Sequence, residues 1–524
     1  MKRRQFCKTL GIAAGALCTS VFSNNACKSS SRMKQPPNIL FIMADDHAAA
    51  AISAYKGFLS SFIRTPNIDL LAKEGMLFKN CFVTNSICTP SRASILTGKY
   101  SHKNGCRTLN DVFDNTQLTF PKLLQKAGYY TAIIGKWHLK SEPTGFDYYN
   151  VLPGQGRYFD PHLIEKGIPW QRGRKESKQY KGYVTDIITD IALEHLKNRP
   201  QNKPFCFLVH HKAPHDMWEY DKKHAHLYED IEIPEPENLF DDYQNRGEAI
   251  KRATQKIDME ETLFLHKTQG HQFDNVRAKL SKLPPREQKR RAYQIFIKAY
   301  LRCVASIDEN VGRLLDYLDE ANLAENTIVV YTSDQGVFLG EHGLFDKRFM
   351  YEESIRMPLL VRFPKEIEPG SINNDIVLNI DFAETFLDYA GLPIPSEMQG
   401  QSLRPLFQGK KPKNWRNSMY YRYWMHRAHF NVAAHYGIRT NRYKLIFYYG
   451  LPLDANGAIP EPTPPEWELF DLENDPNEMR NVYHDPAYAN IVKQLKTELL
   501  HLKVKFDDKD DKYPELIKIR NQIW

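Results

Sequence analysis

The chain of 524 residues is 42% hydrophobic and 26% charged, a composition that excludes intrinsic disorder and suits roughly two or three domains. It has no uninterrupted apolar run of about 20 residues, so a membrane-spanning channel is excluded. The formal net charge is +8, but the first 35 residues hold seven lysines and arginines and no acid, which leaves residues 36–524 at +1. A nearly neutral body argues against a nucleic-acid binder, which needs many clustered cations.

The first 36 residues have the pattern of an export segment. Over 1–27, a basic start with paired arginines precedes an apolar stretch from Leu10 to Phe22, which is too short to span a bilayer. The arginine pair followed by a phenylalanine resembles a twin-arginine signal. Cys27 precedes a Lys/Ser-rich tether over 28–36 and is a candidate lipid attachment site. We therefore expect an exported protein, either periplasmic or an outer-membrane lipoprotein, whose only membrane contact is that lipid.

Short apolar runs, each followed by a polar or glycine-marked turn, predict buried strands in the first four-fifths of the chain. These runs are Asn38–Met43, Tyr130–Ile134, Phe205–His210, Thr327–Thr332 and Leu359–Phe363. Helical periodicity between them is clearest at Tyr183–Asn198 and from Ala292 to about Leu318. Alternating strands and helices predict an α/β sandwich whose ligand site lies beyond the carboxyl ends of the strands.

Composition also suggests how the chain is divided. The charged, weakly periodic segment 216–291 predicts an insertion over the rim of a main domain that covers 37–410. A boundary near 408–414 separates it from a smaller C-terminal α+β domain, 411–524. That second domain is predicted from three short aromatic-rich strands and one helix, at Ser418–Trp424, Tyr436–Thr440, Tyr443–Tyr448 and Asn490–Leu502.

Two acidic pairs stand directly after predicted strands. Asp45 and Asp46 follow the first strand, and Asp334 and Gln335 follow the strand Thr327–Thr332. Adjacent carboxylates at a buried strand end repel each other unless a cation lies between them. Four oxygen donors with no cysteine or histidine among them suit a hard divalent ion, Ca²⁺ before Mg²⁺. The alternative is that each pair only caps a turn or a helix.

The most specific segment is Cys88-Thr89-Pro90-Ser91-Arg92, which continues to Lys99. The five cysteines outside the leader are too sparse for a disulfide scaffold and too scattered for a zinc site. The segment closely resembles the signature of the formylglycine-dependent (type I) sulfatases, in which the cysteine is oxidised after translation to formylglycine (3-oxoalanine). The alternative for Cys88 is a buried or reactive free thiol.

The resemblance extends from Asn38 to about Leu472 and implies an alkaline-phosphatase-like fold, a mixed sheet sandwiched by helices with a smaller C-terminal α+β domain. It implies one Ca²⁺ per chain and a sulfatase-maturating enzyme as partner. The metal ligands that it implies are Asp45, Asp46, Asp334, Gln335 and the modified Cys88. The implied catalytic residues are Cys88, Arg92, Lys136, His138 and His215, with Lys136, His215 and Lys347 binding the sulfate. His210 and His211 stand close enough in sequence to remain alternatives to His215.

The family mechanism assigns a task to each group. One hydroxyl of the hydrated aldehyde made from Cys88 attacks sulfur while two lysines and the ion hold the sulfate. Arg92 and Lys99 would hold the diol and neutralise the carboxylates, and His215 would protonate the departing alkoxide. The second hydroxyl then loses its proton to His138 and expels the sulfate, whereas a serine would remain as a stable ester.

The substrate is suggested by the sequence around the second lysine. Asp346-Lys347-Arg348 and the run Ile355–Arg362 look like the N-acetylglucosamine-6-sulfatase branch of the family. In that branch the acid and the arginine bind hydroxyls of the sugar ring, and a histidine of the C-terminal domain contributes, here His435. A carboxylate beside a forked guanidinium can distinguish the epimers of a sugar. We expect a sulfated glycan as substrate, a glycosaminoglycan or a mucin-type oligosaccharide carrying a 6-O-sulfate on N-acetylglucosamine.

Three other functions remain open from the sequence. A 2-O-sulfatase of unsaturated uronates would need a cation for the substrate carboxylate. A phosphodiesterase or phosphomutase of the same fold would keep the acidic pairs but has no use for the Cys88 segment. A non-catalytic, calcium-dependent glycan-binding lipoprotein would not need Lys136, His138 and Lys347 beside Cys88.

Overall fold

A large mixed sheet organises the part of the chain that the computed structural model describes, residues 36–258 and 278–524. The predicted export signal and nearly all of the tether lie outside these residues. The strands are β1 Asn38–Ala44, β2 Met76–Phe82, β3 Tyr130–Lys136, β4 Tyr148–Leu152, β5 His162–Glu165, β6 Lys178–Gln179, β7 Phe205–His210, β8 Thr327–Ser333, β9 Phe338–Leu339, β10 Phe345–Asp346, β11 Arg356–Arg362, β12 Ser371–Asn373, β13 Val377–Leu378, β14 Ser418–Tyr423, β15 His435–Thr440, β16 Tyr443–Tyr448 and β17 Glu466–Asp471.

Helices connect and cover these strands. The α-helices are Pro66–Lys73, Cys88–Thr97, Ser101–Asn104, Phe120–Lys126, Gly173–Glu176, Val184–Asn198, Glu248–Arg252, Pro285–Glu320, Glu352–Ile355, Asp381–Tyr389, Arg404–Phe407, Ala489–Lys505 and Pro514–Ile523. Short 3-10 helices occur at Ala49–Ala51, Ser53–Tyr55, Trp170–Arg172, Lys222–His224, Ala324–Asn326, Glu341–Gly343 and Pro486–Tyr488. Within the described ranges, no helix is both long enough and apolar enough to cross a membrane.

The order of strands in the large sheet is β12-β2-β11-β8-β1-β7-β3-β4-β5-β6, with β13 beside β2. Strand β1 runs parallel to β7 and β8, and β3 runs parallel to β7. Because β11 is antiparallel to both β8 and β2, β2 points the same way as β8. The carboxyl ends of β1, β2, β3, β7 and β8 therefore meet at one edge of the sheet, which is where the sequence predicts the ligand site.

Both faces of the sheet are covered. All seven residues of β1 are buried, as expected for a central parallel strand. Ile39, Phe41 and Met43 belong to the core on one side of the sheet, together with the helix Asp381–Tyr389. The alternate residues of β1 face the core formed with the helices Val184–Asn198 and Pro285–Glu320.

The predicted strands are all present, and the main sheet also contains strands that were not predicted: β2, β4, β5, β6, β12 and β13. Strand β2 was not predicted, because Lys79 and Asn80 interrupt its apolar run where the strand is partly exposed. The long helix begins at Pro285 rather than at Ala292. The first two turns of this helix are charged and largely solvent-facing. Apolar residues therefore do not recur there at helical spacing. These turns lie inside the predicted insertion.

The second sheet is antiparallel, in the order β14-β15-β16-β17, and the helix Ala489–Lys505 packs on it. It shares a hydrophobic core with the large sheet, and residues 36–524 form one unit by their contacts. Buried ion pairs join the two parts: Glu352 is paired with Arg439 Nη2 at 3.1 Å and with Lys444 Nζ at 2.9 Å. The boundaries at 410 and 411 stay a prediction.

Gly135 allows β3 to approach β7 just before Lys136. Its φ is +101°, and a Cβ there would lie 2.0 Å from His210 O. We expect Gly135→Ala to lower the free energy of unfolding by more than about 2 kcal/mol, because the backbone conformation and the overlap are both unfavourable. Gly128→Ala is the control, since Gly128 has a φ of +94° and no atom within 4 Å of the added Cβ. If both variants lowered the free energy of unfolding in urea by the same amount, the steric argument would be contradicted.

Candidate active site

The two acidic pairs meet at the carboxyl edge of the sheet. Asp45 and Asp46 leave β1 beside Asp334 and Gln335, which leave β8, because Ala44 and Ser333 are paired in the register. The Asp46 N–H donates to Asp334 Oδ1 at 3.2 Å. One oxygen from each of the three carboxylates lies within 4.8 Å of the others. The structure thus brings together the acids that the sequence predicts as metal ligands.

A buried tyrosine fixes the turn that carries Asp46. Asp46 has a positive φ of 66°, a conformation that costs energy for most residues and is tolerated by aspartate. Tyr300 Oη donates to Asp46 O at 2.7 Å and accepts from the Ala48 N–H at 2.8 Å. Tyr300 lies on the long helix and carries no local sequence signal for this contact, so the sequence analysis missed it.

Each carboxylate has a cation of its own. Lys136 Nζ contacts Asp45 Oδ2, Lys347 Nζ lies 2.6 Å from Asp46 Oδ1, and Arg92 donates to Asp334 Oδ2 through Nε at 3.0 Å. Burial opposes ionisation of Asp334, but Arg92 and the two lysines hold its pKa below the usual value. Burial likewise opposes the charge of Lys347, yet Asp46 raises the pKa of that lysine. The charges are therefore kept in place by their mutual pairing.

Cys88 begins the helix that follows β2, and its thiol lies between the two acidic pairs. Cys88 Sγ is 3.4 Å from Asp45 Oδ1 and 3.5 Å from Gln335 Nε2. Burial raises the pKa of the thiol to about 12, although Lys347 opposes the shift. At neutral pH the group is therefore an uncharged thiol, whereas a cysteine that acts as a nucleophile needs a lowered pKa. Unmodified Cys88 is poorly suited to attack a substrate.

The polar residues of the Cys88 segment tie the helix to the neighbouring loops. Arg92 lies one turn after Cys88 and donates from Nη1 to Lys136 O at 2.8 Å. Thr89 Oγ1 donates to His138 O at 2.9 Å, and Ser91 Oγ donates to Asp334 O. All ten residues of this helix are buried. The motif thus fixes the ends of β3 and β8 relative to the thiol.

Lys99 does not join the cluster in the way that the sequence analysis expected. Its Nζ pairs with Glu397 Oε1 at 3.2 Å, so the structure gives no contact between Lys99 and the three carboxylates among the residues that it describes. The helix ends at Thr97, with Gly98 in a left-handed conformation. The chain turns there, and Lys99 follows the turn.

The histidines differ in what they face. His215 Nε2 lies 3.6 Å from Asp46 Oδ2, and its Nδ1 contacts the Asp216 carboxylate. Burial lowers the pKa of His215, and Asp216 opposes that shift. His210 Nδ1 lies 3.2 Å from Lys136 O, and neither ring nitrogen of His211 has a partner. Among these three, His215 is the histidine in contact with an acidic pair.

His138 and Lys136 follow from the end of β3. His138 is half-buried with a φ of 58°, and its Nδ1 is buried without a hydrogen-bond partner. Burial, and then Lys136 and Arg92, lower the pKa of His138 well below its usual value. Lys136 Nζ also donates to Gln155 Oε1. The sequence analysis missed Gln155, because it lies in a loop after β4, a strand that it did not predict.

Asp346 and Arg348 lie on either side of Lys347, both with a positive φ. Arg348 Nε is 2.9 Å from Asp346 Oδ2, and Lys347 Nζ is 3.7 Å from Asp346 Oδ1. Arg348 Nη1 is buried and has no hydrogen-bond partner. The pair is therefore largely buried beside the lysine that contacts Asp46, and it retains an unused donor.

The structure does not bring His435 to this pair. His435 is fully buried, 4.9 Å from the ring of Tyr448 and 5.5 Å from that of Tyr423, and its Nε2 has no partner. His429 was not singled out from the sequence, yet it is exposed; partial desolvation and the Arg348 charge lower its pKa, and the Asp346 charge opposes that shift. Its neighbour Phe430 packs against the Arg348 guanidinium at 5.4 Å. No regular spacing marks His429, because it lies in the loop between β14 and β15.

The donor set fits a divalent cation. It offers three buried carboxylates whose oxygens converge, and Gln335 Oε1 is buried without a hydrogen-bond partner. Oxygen donors of this kind are preferred by hard ions. Among the described residues that could ligate an ion here, the one sulfur belongs to Cys88, which is expected to be modified.

Comparison with known proteins identifies the family. The chain matches the model described as Sulfatase over residues 37–392 and the one described as N-sulphoglucosamine sulphohydrolase, C-terminal, over 340–505. This chain belongs to the sulfatase family and is a sulfuric ester hydrolase. The fold class predicted from the sequence is confirmed, a mixed sheet between helices with a smaller C-terminal α+β part.

Particular relatives refine the picture. The chain is 43% identical to an N-acetylglucosamine-6-O-sulfatase of Bacteroides thetaiotaomicron, over 92% of this chain and 88% of that protein. It is 27% identical to the human N-acetylglucosamine-6-sulfatase, over 74% and 67% of the two chains. A solved structure in complex with its substrate D-glucosamine-2-N,6-O-disulfate is 42% identical, with a TM-score of 0.83, and the match covers 92% of this chain and all of that one.

The carboxylate cluster predicts a stability that depends on divalent cations. A cation that binds only the folded protein should raise the melting temperature, by about 1 °C for each kcal/mol of binding energy in a folded unit of this size. We expect chelation to lower the melting temperature and a divalent cation to restore it, and Asp45→Asn to remove this response. Asp114→Asn, which changes an exposed carboxylate outside the cluster, is the control. An equal response in Asp45→Asn would contradict the assignment.

Proposed function

We propose that this sulfatase removes the 6-O-sulfate of N-acetylglucosamine in a glycosaminoglycan or mucin-type oligosaccharide, with formylglycine made from Cys88 and one Ca²⁺. One observation carries the proposal: Lys347 contacts Asp46 of the acidic cluster and is flanked by the Asp346–Arg348 pair. A sulfate held at the cluster therefore places its sugar ring against Asp346 and Arg348. The 43% identity to an N-acetylglucosamine-6-O-sulfatase supports this assignment.

The residues around the thiol suit the chemistry of a sulfate ester. The modified residue and the cation would supply a nucleophilic oxygen and a Lewis acid. Lys136 and Lys347 would bind the sulfate oxygens, on which charge grows as the ester bond breaks. Arg92 fixes the position of Asp334 and would contact the modified side chain one turn before it in the helix. Because these cations are already paired and oriented by carboxylates, little reorganisation is needed when the substrate binds.

Proton transfer is assigned to two histidines with different environments. His215 Nδ1 faces Asp216, which leaves Nε2 free to carry the proton that goes to the departing sugar oxygen. His138 has a strongly lowered pKa and an unpartnered Nδ1, so it is neutral and can accept a proton when the sulfate is released. Burial lowers the pKa of both histidines, but the Asp216 carboxylate opposes the shift at His215, whereas Lys136 and Arg92 add to it at His138, so His215 is the better proton carrier of the two.

Recognition of the sugar ring is assigned to the Asp346–Arg348 pair. The Asp346 carboxylate can accept hydroxyl protons, and the unused Arg348 Nη1 can donate to a ring oxygen or hydroxyl. His435 is the third residue expected from the family resemblance, but it has no exposed surface. We propose that His429 makes the direct contact and that His435 supports Tyr423, against which it packs.

The burial of Cys88 also bears on maturation and location. Its side chain is 1% exposed, so a maturating enzyme must reach the cysteine before the chain has folded. We propose that maturation precedes export to the periplasm or, by way of a lipid on Cys27, to the outer membrane. The predicted leader lies outside the described residues.

The alternatives are supported less well. A 2-O-sulfatase of uronates needs a cation for the substrate carboxylate; the 43% identity to an N-acetylglucosamine-6-O-sulfatase favours a glucosamine substrate over a uronate. A phosphodiesterase or a non-catalytic glycan binder would leave the Cys88 segment, with all ten helix residues buried around the acids, without a purpose.

The first test concerns residue 88. We expect the tryptic peptide containing it to have the mass of formylglycine in active protein, and Cys88→Ser or Cys88→Ala to abolish turnover, since the covalent step is lost. Cys106→Ala is the control, because Cys106 is buried but lies outside the acidic cluster. Full activity from protein whose peptide retains an unmodified thiol would refute the assignment.

The second test compares substrates. We expect turnover of 6-O-sulfated N-acetylglucosamine and no turnover of a 2-O-sulfated unsaturated uronate disaccharide. Removal of the Arg348 contact by Arg348→Ala should lower kcat/KM by about 10- to 100-fold on the glucosamine, as loss of charged hydrogen bonds predicts, and His429→Ala should have a larger effect than His435→Phe. Preference for the uronate, or equal effects of Arg348→Ala on a simple aryl sulfate, would contradict the proposal.

A further inference from the structure

A cavity of about 530 Å³ adjoins the candidate active site on the side of β4 and β5. Its lining includes Trp137, His138, Gln155, Trp170, Lys140 and Arg174, and we call it the basic cavity. The volume lies within the usual range for a site that binds a small molecule. None of its tryptophans or its two cations takes part in the chemistry assigned above.

The basic cavity is directly connected to the sulfate-binding groups. Gln155 lines the cavity and also accepts a hydrogen bond from Lys136 Nζ. His138 lines it too, and its carbonyl is held by Thr89 next to Cys88. An occupant of the cavity would therefore be separated from the sulfate-binding lysine by one side chain. An occupant of the cavity would thus adjoin a substrate whose sulfate is held by Lys136.

The cations of the cavity are free of carboxylates. Both Lys140 and Arg174 are exposed, and neither forms an ion pair with a residue that the structure describes. By contrast, Arg172 pairs with Glu176 at 2.9 Å and Lys181 pairs with Asp160 at 3.3 Å. An unpaired arginine beside an unpaired lysine favours an anionic group.

The segment that contains Trp170 and Arg174 is also positively charged. Residues 166–181 contain six basic residues and one acidic residue, whereas residues 36–524 have a formal charge of only +1. Residues 166–181 are thus a locally basic segment beside β5 and β6. A local excess of this kind attracts anionic ligands from solution.

An aromatic ring completes the site. Trp170 is half-buried, and its orientation is fixed because Nε1 donates to Lys140 O at 3.1 Å. A held tryptophan offers a flat apolar face on which the ring of a sugar can stack. The cavity therefore combines a stacking face, the Gln155 amide and two available cations.

Resting on the proposed function, we infer that the basic cavity is a subsite for the sugar that adjoins the 6-sulfated glucosamine, and that Arg174 and Lys140 bind an anionic group on that sugar. The group is a carboxylate when the neighbour is a uronate and a sulfate when the neighbour is a sulfated galactose. Both offer oxygens that a guanidinium can bind through two parallel hydrogen bonds.

The test uses four 6-sulfated probes: N-acetylglucosamine alone, and its disaccharides with galactose, with 6-sulfated galactose and with glucuronate. We expect the wild type to have a higher kcat/KM for the anionic disaccharides than for the neutral one. Arg174→Ala should lower kcat/KM by about five- to tenfold on the anionic disaccharides and less than about twofold on the monosaccharide, as loss of a charged contact predicts. The two anionic probes show whether carboxylate, sulfate or both are accepted.

Lys175→Ala is the matched control, because it removes the same charge from an exposed neighbour that does not line the cavity. The preference for anionic disaccharides should persist in this control and weaken with added salt in the wild type. Equal effects of Arg174→Ala on all four probes, or equal effects of Arg174→Ala and Lys175→Ala, would overturn the inference.

A second measurement separates this inference from the proposed function. Absence of turnover on every 6-sulfated probe would refute the proposed function. Calorimetric titration of the Cys88→Ala protein with the desulfated glucuronate disaccharide then tests the cavity alone. The subsite is supported if the Cys88→Ala protein binds this disaccharide and the Cys88→Ala, Arg174→Ala double variant does not. It is refuted if the Cys88→Ala protein does not bind the disaccharide, or if both proteins bind it equally.

Discussion

The burial of three carboxylates at one edge of the sheet is the constraint on which the candidate site depends. An ionised carboxylate loses several kcal/mol of solvation when it is buried, so Asp45, Asp46 and Asp334 can stay charged only if cations reach them. Those cations come from three separate parts of the chain. The helix after β2 supplies Arg92, the end of β3 supplies Lys136, and the segment after β10 supplies Lys347. Charge pairing therefore assembles elements that are far apart in sequence, and the same pairing orients the groups that would bind a sulfate.

The C-terminal sheet extends this arrangement to the sugar. Glu352 lies shortly after the Asp346–Arg348 pair, and it is held by Arg439 and Lys444 of the small sheet. Tyr421 of β14 donates to Arg348 O at 2.7 Å. The residues proposed to choose the sugar are thus fixed by the second sheet, while those proposed to act on the sulfate are fixed by the first. Lys347 joins the two sets, which explains why a small sheet that contributes no group to the acidic cluster packs so closely on the large one.

The sequence was sufficient for features that follow from local patterns. Asp45 and Asp334 could be placed at one edge because each ends an apolar run, and the carboxyl ends of parallel strands meet. The contacts of Tyr300, Asp216 and Gln155 could not be predicted, because they depend on how distant elements pack. For the same reason the sequence favoured His435 over His429 as the sugar-binding histidine. Whether a loop residue is exposed is not marked by any periodic pattern in the sequence. Lys99 was predicted to neutralise the carboxylates because it belongs to the recognised segment. The turn at Gly98 instead directs its side chain to Glu397.

Selectivity for an acidic glycan would depend on charges outside the acidic cluster. Within the cluster each of the three protein cations is paired with a carboxylate, so these side chains have little charge left for a distant anion, and the proposed Ca²⁺ would add its charge at the sulfate itself. Among the described residues, Arg174 and Lys140 have no carboxylate partner, and both line the basic cavity. The paired charges would determine how a bound sulfate reacts, whereas the unpaired ones would determine which glycan arrives and how it is oriented. Because exposed charges are screened by salt and buried pairs are not, ionic strength should change the second property and leave the first.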